Sequence, residues 1–279
     1  MFFDSLLLSL YFETPLHTGA SGALSCIDLP VQRERTTQWP VILASEVRAA
    51  LRRALGDDAA AKLLGVSESD QDRRVSVGDA RLLLFPVRSS VAPFLWITCP
   101  AVLSRLRRDL ERTIGAPIGS LPSLGAEEML VSSNWSHGSD AFALEDIVLT
   151  PKQGWDAGPL LKLLPSAAAY EGFGGEVDAS VGVVSDEVFG FLVRTATEVS
   201  PAAAANGGGI CYQELVPSDA LFYVPILSMA GSGKTQSHPP SPLVGLEDQL
   251  GSHLQLGAGA TLGRGWAKTA VIQSKGAKP

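Results

Sequence analysis

The chain of 279 residues carries 29 acidic and 22 basic side chains, a net charge of −7, with 46% apolar and 18% charged residues. At roughly 100–200 residues per domain this length suits one large domain or two small ones, and the composition excludes the apolar-poor, highly charged signature of disorder. The acidic balance argues against indiscriminate binding to nucleic acid or anionic lipid, and Cys26, Cys99 and Cys211 are too dispersed for a disulfide framework or a C-x-x-C metal site.

At the N-terminus, Leu6, Leu8, Leu10 and Phe12 alternate with Ser5, Ser9 and Tyr11, which predicts a strand with one buried face. Asp4 and Glu13 interrupt the stretch, and it lacks the basic flank of a signal peptide, so a cytoplasmic protein without a membrane span is expected. A long polar loop rich in glycine and proline follows, up to Pro40, and unstructured loops of that length are often functional. Ser45 as N-cap, with Val47, Ala50, Leu51, Ala54 and Leu55 at helical spacing, predicts a helix ending at Gly56, and Asp58 to Leu64 a shorter one ending at Gly65.

Ala80 to Val87 and Phe94 to Thr98 read as strands, and Pro100 opens a helix through Ile114 with Val102, Leu103, Leu106 and Leu110 inward. Residues 115–140, rich in Gly, Pro and Ser, read as a loop or insertion. Strands are expected at Phe142 to Leu149 and Phe222 to Leu227, and helices near Leu160 and at Ser185 to Val193. The run 200–209, SPAAAANGGG, fits a mobile loop or a hairpin tip, and 228–242 a second loop. The chain closes with His253 to Leu256, a glycine-spaced turn and a strand at Trp266 to Ile272. Interleaved strands and helices without a clean boundary predict one α+β or α/β domain over residues 1–279.

Two basic islands break the acidic average. Arg33, Arg35, Arg48, Arg52 and Arg53 face only Glu34 and Glu46 in residues 33–53, and residues 251–279 hold Arg264, Lys268, Lys275 and Lys278 with no acid. If the two islands meet in space, the protein has the basic face that a phosphate-backbone ligand requires. Gly257, Gly259, Gly263 and Gly265 space a loop whose backbone amides can cradle phosphates, or else form a tight structural turn; the spacing misses a dinucleotide fingerprint. Gly231-Ser232-Gly233-Lys234-Thr235 imitates a P-loop, but Ser228 stands where its first glycine belongs, and Pro239 and Pro240 prevent the required helix. Asp28 lies in the post-strand loop with His17, amid basic and apolar neighbours, as a turn former, an ion-pair partner or a chemical group.

The segment from Pro15-Leu16-His17-Thr18-Gly19 through Ile27-Asp28-Leu29-Pro30-Val31-Gln32-Arg33-Glu34-Arg35 to Trp39-Pro40-Val41-Ile42 and Leu51-Arg52 resembles the N-terminal signature of the RAMP superfamily. Within it, the sequence is most similar to the repeated backbone subunits of type III-B CRISPR effectors, the fourth subunit of the Cmr complex. Thr197-Glu198-Val199, Glu214 to Tyr223 and Leu256 to Trp266 fall where that family has similar text. Leu43 to Arg52 departs from it, with the family's Gly and Lys lost and Glu46 added.

The resemblance implies a ferredoxin-like, RRM-related α+β core with insertions, among them a thumb-like hairpin in the region of 115–140 or 195–242. It further implies copies stacked in a filament with other Cmr-type subunits along a CRISPR RNA. Asp28 then maps onto the loop aspartate needed for metal-dependent cleavage of complementary target RNA, with Mg²⁺ or Mn²⁺ as cofactor and Asp28 as base or metal ligand. His17 is a candidate for orientation or proton transfer. Arg33, Arg35, Arg48, Arg52, Arg264 and Lys268, with Gly257, Gly259, Gly263 and Gly265, are the expected RNA contacts. A non-catalytic RNA scaffold of the same architecture, and a nucleotide-binding enzyme using the GSGKT loop, are the alternatives.

Overall fold

The computed structural model describes residues 2–19, 27–65, 75–113, 123–138, 140–165, 180–203, 209–229, 243 and 245–273. Strand β1 (Phe2–Phe12) leads through the long loop to β2 (Val41–Ile42), helices α1 (Ala44–Leu55) and α2 (Asp57–Leu64), strands β3 (Val75–Val77), β4 (Ala80–Arg88) and β5 (Phe94–Thr98), and helix α3 (Pro100–Thr113). After these come β6 (Glu128–Ser132), β7 (Phe142–Leu144), β8 (Ile147–Trp155), α4 (Gly158–Leu161), β9 (Val181–Val183) and α5 (Asp186–Thr195). The chain ends with β10 (Glu198–Ala203), β11 (Ile210–Leu215), β12 (Leu221–Met229), α6 (Leu246–Leu250), β13 (His253–Gln255) and β14 (Trp266–Gln273).

Twelve of these strands form one sheet, and β10 and β11 form a separate antiparallel ribbon. Pairing is antiparallel apart from β5 with β9 and β6 with β8, which makes the fold α+β. At the centre, β14, β1, β12 and β4 lie side by side, all antiparallel. The chain visits them in the order β1, β4, β12, β14, with α1 in the first crossover and α6 in the second, which is the winding of a split βαββαβ unit. The long excursion between β4 and β12 holds α3 and β5 to β11.

The expectation of one buried face on β1 is corrected: Leu6 to Phe12 are all buried. The strand pairs on both edges, and α3 covers the face that carries Ser5 and Ser9; Ser5 Oγ donates to the carbonyl of Thr113 at 3.1 Å. A strand covered on both faces tolerates Leu7 where alternation would have placed a polar residue. Helix α1 is likewise not capped by Ser45. Leu43 holds the N-cap position, and the Ala44 amide donates to Asp79 Oδ1 at 2.7 Å, so a residue just ahead of β4 satisfies an amide that local sequence leaves open. Helix α5 follows the local rule, with Ser185 Oγ accepting from the Val188 amide.

Residues 115–140 are not all loop, because β6 is buried from Met129 to Ser132 and pairs with β8 and β9. The expected 142–149 strand is two, β7 and the start of β8, turning at Glu145 with φ of 48°. Of the 200–209 run, residues 200–203 lie in β10, which pairs antiparallel with β11, in line with the hairpin reading, and 204–208 lie outside the described residues. Cys26, Lys275, Lys278 and the whole Gly231 to Thr235 motif also lie outside them. No helix among the described residues is long and apolar enough to cross a membrane.

Candidate functional site

Sequence-distant segments converge beyond the end of β1. Leu16 bridges Val216, His17 bridges Ala258, and Leu29 runs parallel to Gln213, so the post-strand loop lies between β11 and the glycine-spaced turn. The organising group is Glu214, which the sequence reading did not single out. Its carboxylate is buried and accepts from Arg33 Nη2 at 2.5 Å, from the Val31 amide at 2.9 Å and from Thr197 Oγ1 at 2.9 Å. Its backbone amide donates to the Leu29 carbonyl, and its carbonyl accepts from His17 Nδ1 at 2.9 Å. One residue thus fixes the loop from 29 to 33, the His17 ring and the foot of the β10–β11 ribbon. An acid in a strand that turns into the core was the available signal.

Asp28 is exposed further up the ribbon, beside the middle of β11, where Tyr212 pairs with Pro201. Its Oδ2 accepts from the Tyr212 amide at 2.7 Å, and the adjacent Leu29 amide donates to the Tyr212 carbonyl at 3.1 Å. The second carboxylate oxygen carries no hydrogen bond among the described residues. Beside it the Tyr212 ring is 51% exposed, and Leu29, Val199 and Ile210 are exposed as well. A carboxylate with a free oxygen, flanked by an exposed aromatic on a separate two-stranded ribbon, can meet an unstacked base and its sugar together.

His17 is only 5% exposed and makes no hydrogen bond to Asp28. Because a carbonyl can only accept, Nδ1 carries the proton and the ring acts as a strut between β11 and the loop. The arginines divide in the same way. Arg33 is spent on Glu214 and on the carbonyls of Gln38 and Val193. Arg48 donates to the Leu64 carbonyl at 2.7 Å and Arg52 to the Gly65 carbonyl at 2.9 Å, so both satisfy the open C-terminal end of α2. In the free chain these three side chains therefore also brace the fold, Arg33 through a buried acid and two carbonyls, Arg48 and Arg52 through one carbonyl each. The two basic islands do meet, Arg53 donating to the Gln255 carbonyl at 2.9 Å. Arg264 reaches both ribbon strands, through Gln213 Oε1 and through Ser200 Oγ at 3.1 Å. Arg35 is exposed, and Lys268 is half-buried on β14 without an ion pair among the described residues.

The glycine-spaced turn is needed first for its shape. A Cβ on Gly265 would stand 1.8 Å from the Leu256 carbonyl oxygen and one on Gly257 2.4 Å from that of His17, both at positive φ. Gly259 and Gly263 frame a 3-10 turn over Ala260–Leu262. The cradle already holds an anion: Glu46, in the first turn of α1, accepts from Thr18 Oγ1 at 3.0 Å and from the Gly257 amide. Burial lifts the Glu46 carboxyl above the usual carboxylate range, against the hydrogen bonds from Thr18 and Gly257 and the charges of His17 and Arg53. As for metals, the described residues contain no cluster of three His, Cys, Asp or Glu side chains able to hold an ion. Asp28 fits Mg²⁺ only as one carboxylate that shares the ion with substrate phosphate and water, a common arrangement for that cation.

The RAMP superfamily model matches residues 9–268. The CRISPR system Cmr endoribonuclease Cmr4 of Pyrococcus furiosus is 30% identical over 95% of both chains. A crystal structure of oligomeric Cmr4 from Pyrococcus furiosus superimposes with a TM-score of 0.75 at 26% identity, covering 98% of this chain and 99% of that one. A chain of the type III-B Cmr-beta complex bound to cognate target RNA shares the fold, with a TM-score of 0.72 at 17% identity over 97% of this chain and 98% of that one.

Proposed function

This chain belongs to the RAMP superfamily, among its Cmr4-type members, and from that premise we propose that it is a backbone subunit of a type III-B RNA-guided effector that cuts RNA beside Asp28. Copies of the chain, with other Cmr-type subunits, line a CRISPR RNA, and the complementary target is cleaved at regular intervals. The observation that carries this reading is the exposed Asp28 carboxylate, fixed by the Tyr212 amide on the β10–β11 ribbon.

In an A-form strand the 2′-hydroxyl is poorly aligned to attack its own phosphate. Unstacking one nucleotide costs a few kcal/mol and frees that geometry. The ribbon wedges the duplex, and the Tyr212 ring stacks on the displaced base, worth about 1–3 kcal/mol. With Oδ2 held by the Tyr212 amide, Asp28 offers its other oxygen to the 2′-hydroxyl proton as general base, or to Mg²⁺ or Mn²⁺ as a ligand. When bound there, the cation supplies charge stabilisation at the phosphate. His17 positions the loop through its bond to the Glu214 carbonyl. Arg264 and Lys268 hold backbone phosphates, while base pairing to the guide supplies sequence choice.

The test is the assembled complex, with guide, carrying Asp28→Asn. The amide oxygen of Asn still accepts from the Tyr212 amide, so target RNA binds as before and the periodic products vanish. Unchanged products would remove Asp28 from the mechanism. Glu46 in the anion cradle favours a second reading, a scaffold without catalysis. Target RNA left intact by the wild-type complex in Mg²⁺ and in Mn²⁺ would decide for it.

A further inference from the structure

A cavity of about 550 Å³ opens between the turn at 34–36, β4 and α3, lined by Glu34, Arg35, Thr36, Arg81, Arg105 and Arg108. That size lies within the range of roughly 300–1,000 Å³ seen for small-ligand clefts. We propose that it is a second phosphate-binding site, built to seat the backbone of an RNA strand.

Two of the four arginines are held in place by internal acids. A single nitrogen of Arg105, Nη1, donates to both Glu34 oxygens, at 2.7 and 2.8 Å, and its guanidinium lies 4.8 Å from the ring centroid of buried Trp39. Nε and Nη2 of Arg105 have no hydrogen bond among the described residues. Arg81 Nη1 donates to Asp109 Oδ2, which also accepts from the Tyr223 hydroxyl at 2.9 Å. Glu34 and Asp109 therefore balance Arg105 and Arg81. Nothing among the described residues balances Arg35 and Arg108, which are exposed and have no ion pair there. Two uncompensated charges facing one cavity match two backbone phosphates, and planar guanidinia with idle donors suit phosphate oxygens.

The ligand is longer than the cavity. Arg105, Arg108 and Arg112 stand at i, i+3 and i+7 on α3, a single face of the helix. Arg112 lies about 6 Å along the axis from Arg108, on the order of the spacing between successive phosphates of a strand. A free phosphate or a nucleotide would not use that extension, whereas a polyanion would. For the identity of the polymer the proposal rests on the RNA-binding reading above; the charge imbalance stands without it.

The test compares the full wild-type chain with an Arg35→Ala/Arg108→Ala double variant in salt titrations of binding to a labelled single-stranded RNA. Both residues are exposed, so unchanged thermal unfolding is expected and is verified first. At about 0.7 per single-strand phosphate contact, the slope of log K against log salt falls by about 1.4. An unchanged slope with binding intact overturns the pocket alone, whereas a wild-type chain that binds no RNA overturns the parent reading. Two further arms separate other ligands. Stabilisation by inorganic phosphate that the double variant loses, with its RNA slope unchanged, would assign the cavity to a small phosphorylated molecule instead. Self-association lost in the variant, again with the slope unchanged, would make it a contact for acidic residues of another copy.

Discussion

Replacing Glu214 by leucine separates a structural Arg33 from an RNA-contacting one. In the wild type the carboxylate accepts three bonds, from Arg33, Val31 and Thr197, and the ion-paired side chains are 15% and 6% exposed. Removing one partner of a buried pair costs about 3–5 kcal/mol, because the other charge is left without compensation. For a domain of this size, at about 2–4 °C per kcal/mol, the unfolding midpoint should fall by about 6–20 °C. Arg33→Leu alone should fall in the same range. In the double variant Arg33→Leu/Glu214→Leu no charge is stranded, and the remaining cost is the unsatisfied Val31 amide and Thr197 hydroxyl, about 1–3 kcal/mol each and present in Glu214→Leu as well. Scanning fluorimetry or calorimetry on the four proteins closes the cycle, and the coupling should be 2 kcal/mol or more, since the pair shares one network. Additive single effects, or an Arg33→Leu variant with an unchanged midpoint and an RNA salt slope reduced by about 0.7, would refute the structural assignment.

Tyr212→Ala should leave the unfolding midpoint within about 2 °C, because the ring is largely exposed, yet weaken target-RNA binding or cleavage by about 1–3 kcal/mol, roughly 5- to 150-fold. For Glu46→Gln the sign follows from the raised carboxyl: its folded-state contribution is fully present below the ordinary value of 4.5 and is lost as pH rises through the elevated one. The variant should therefore gain on the wild type at neutral pH, and the gap in midpoint should close as pH falls through that window; a gap independent of pH would contradict the burial argument. The same variant, lacking the charge in the cradle, should bind single-stranded RNA more tightly in a filter or polarisation assay. Gly265→Ala, with a Cβ forced to 1.8 Å from the Leu256 oxygen, should fail to fold or melt far below wild type. Gly263→Ala, with open space around it, should lose only the cost of positive φ, about 1–2 kcal/mol, as measured by chemical denaturation.

The elements that local chemistry specifies were legible in the sequence. The inward face of α3, the glycines that end α1 and α2, and the terminal strands all follow from spacing and capping rules that act within a few residues. Where the reading went wrong, a partner remote in sequence had taken over. Leu7 on β1 is explained by α3, the first amide of α1 by Asp79, and the strand inside 115–140 by its pairing with β8 and β9. The site divides along the same line. Asp28 stood out because the resemblance maps its loop onto the family's signature, while the residues alone left it among turn former, ion-pair partner and chemical group. The bonds that Arg33, Arg48 and Arg52 make in the free chain were hidden because an arginine that closes a helix end or pairs with a buried acid has the same local text as one that waits for phosphate. Glu214 and Tyr212 occupy ordinary strand positions, and only the fold brings them to Asp28. A basic island in a sequence thus counts charges before the protein has used any of them. The surplus that remains for a ligand is what folding leaves unpaired, and here it lies at Arg35 and Arg108 as much as at the loop that first drew attention.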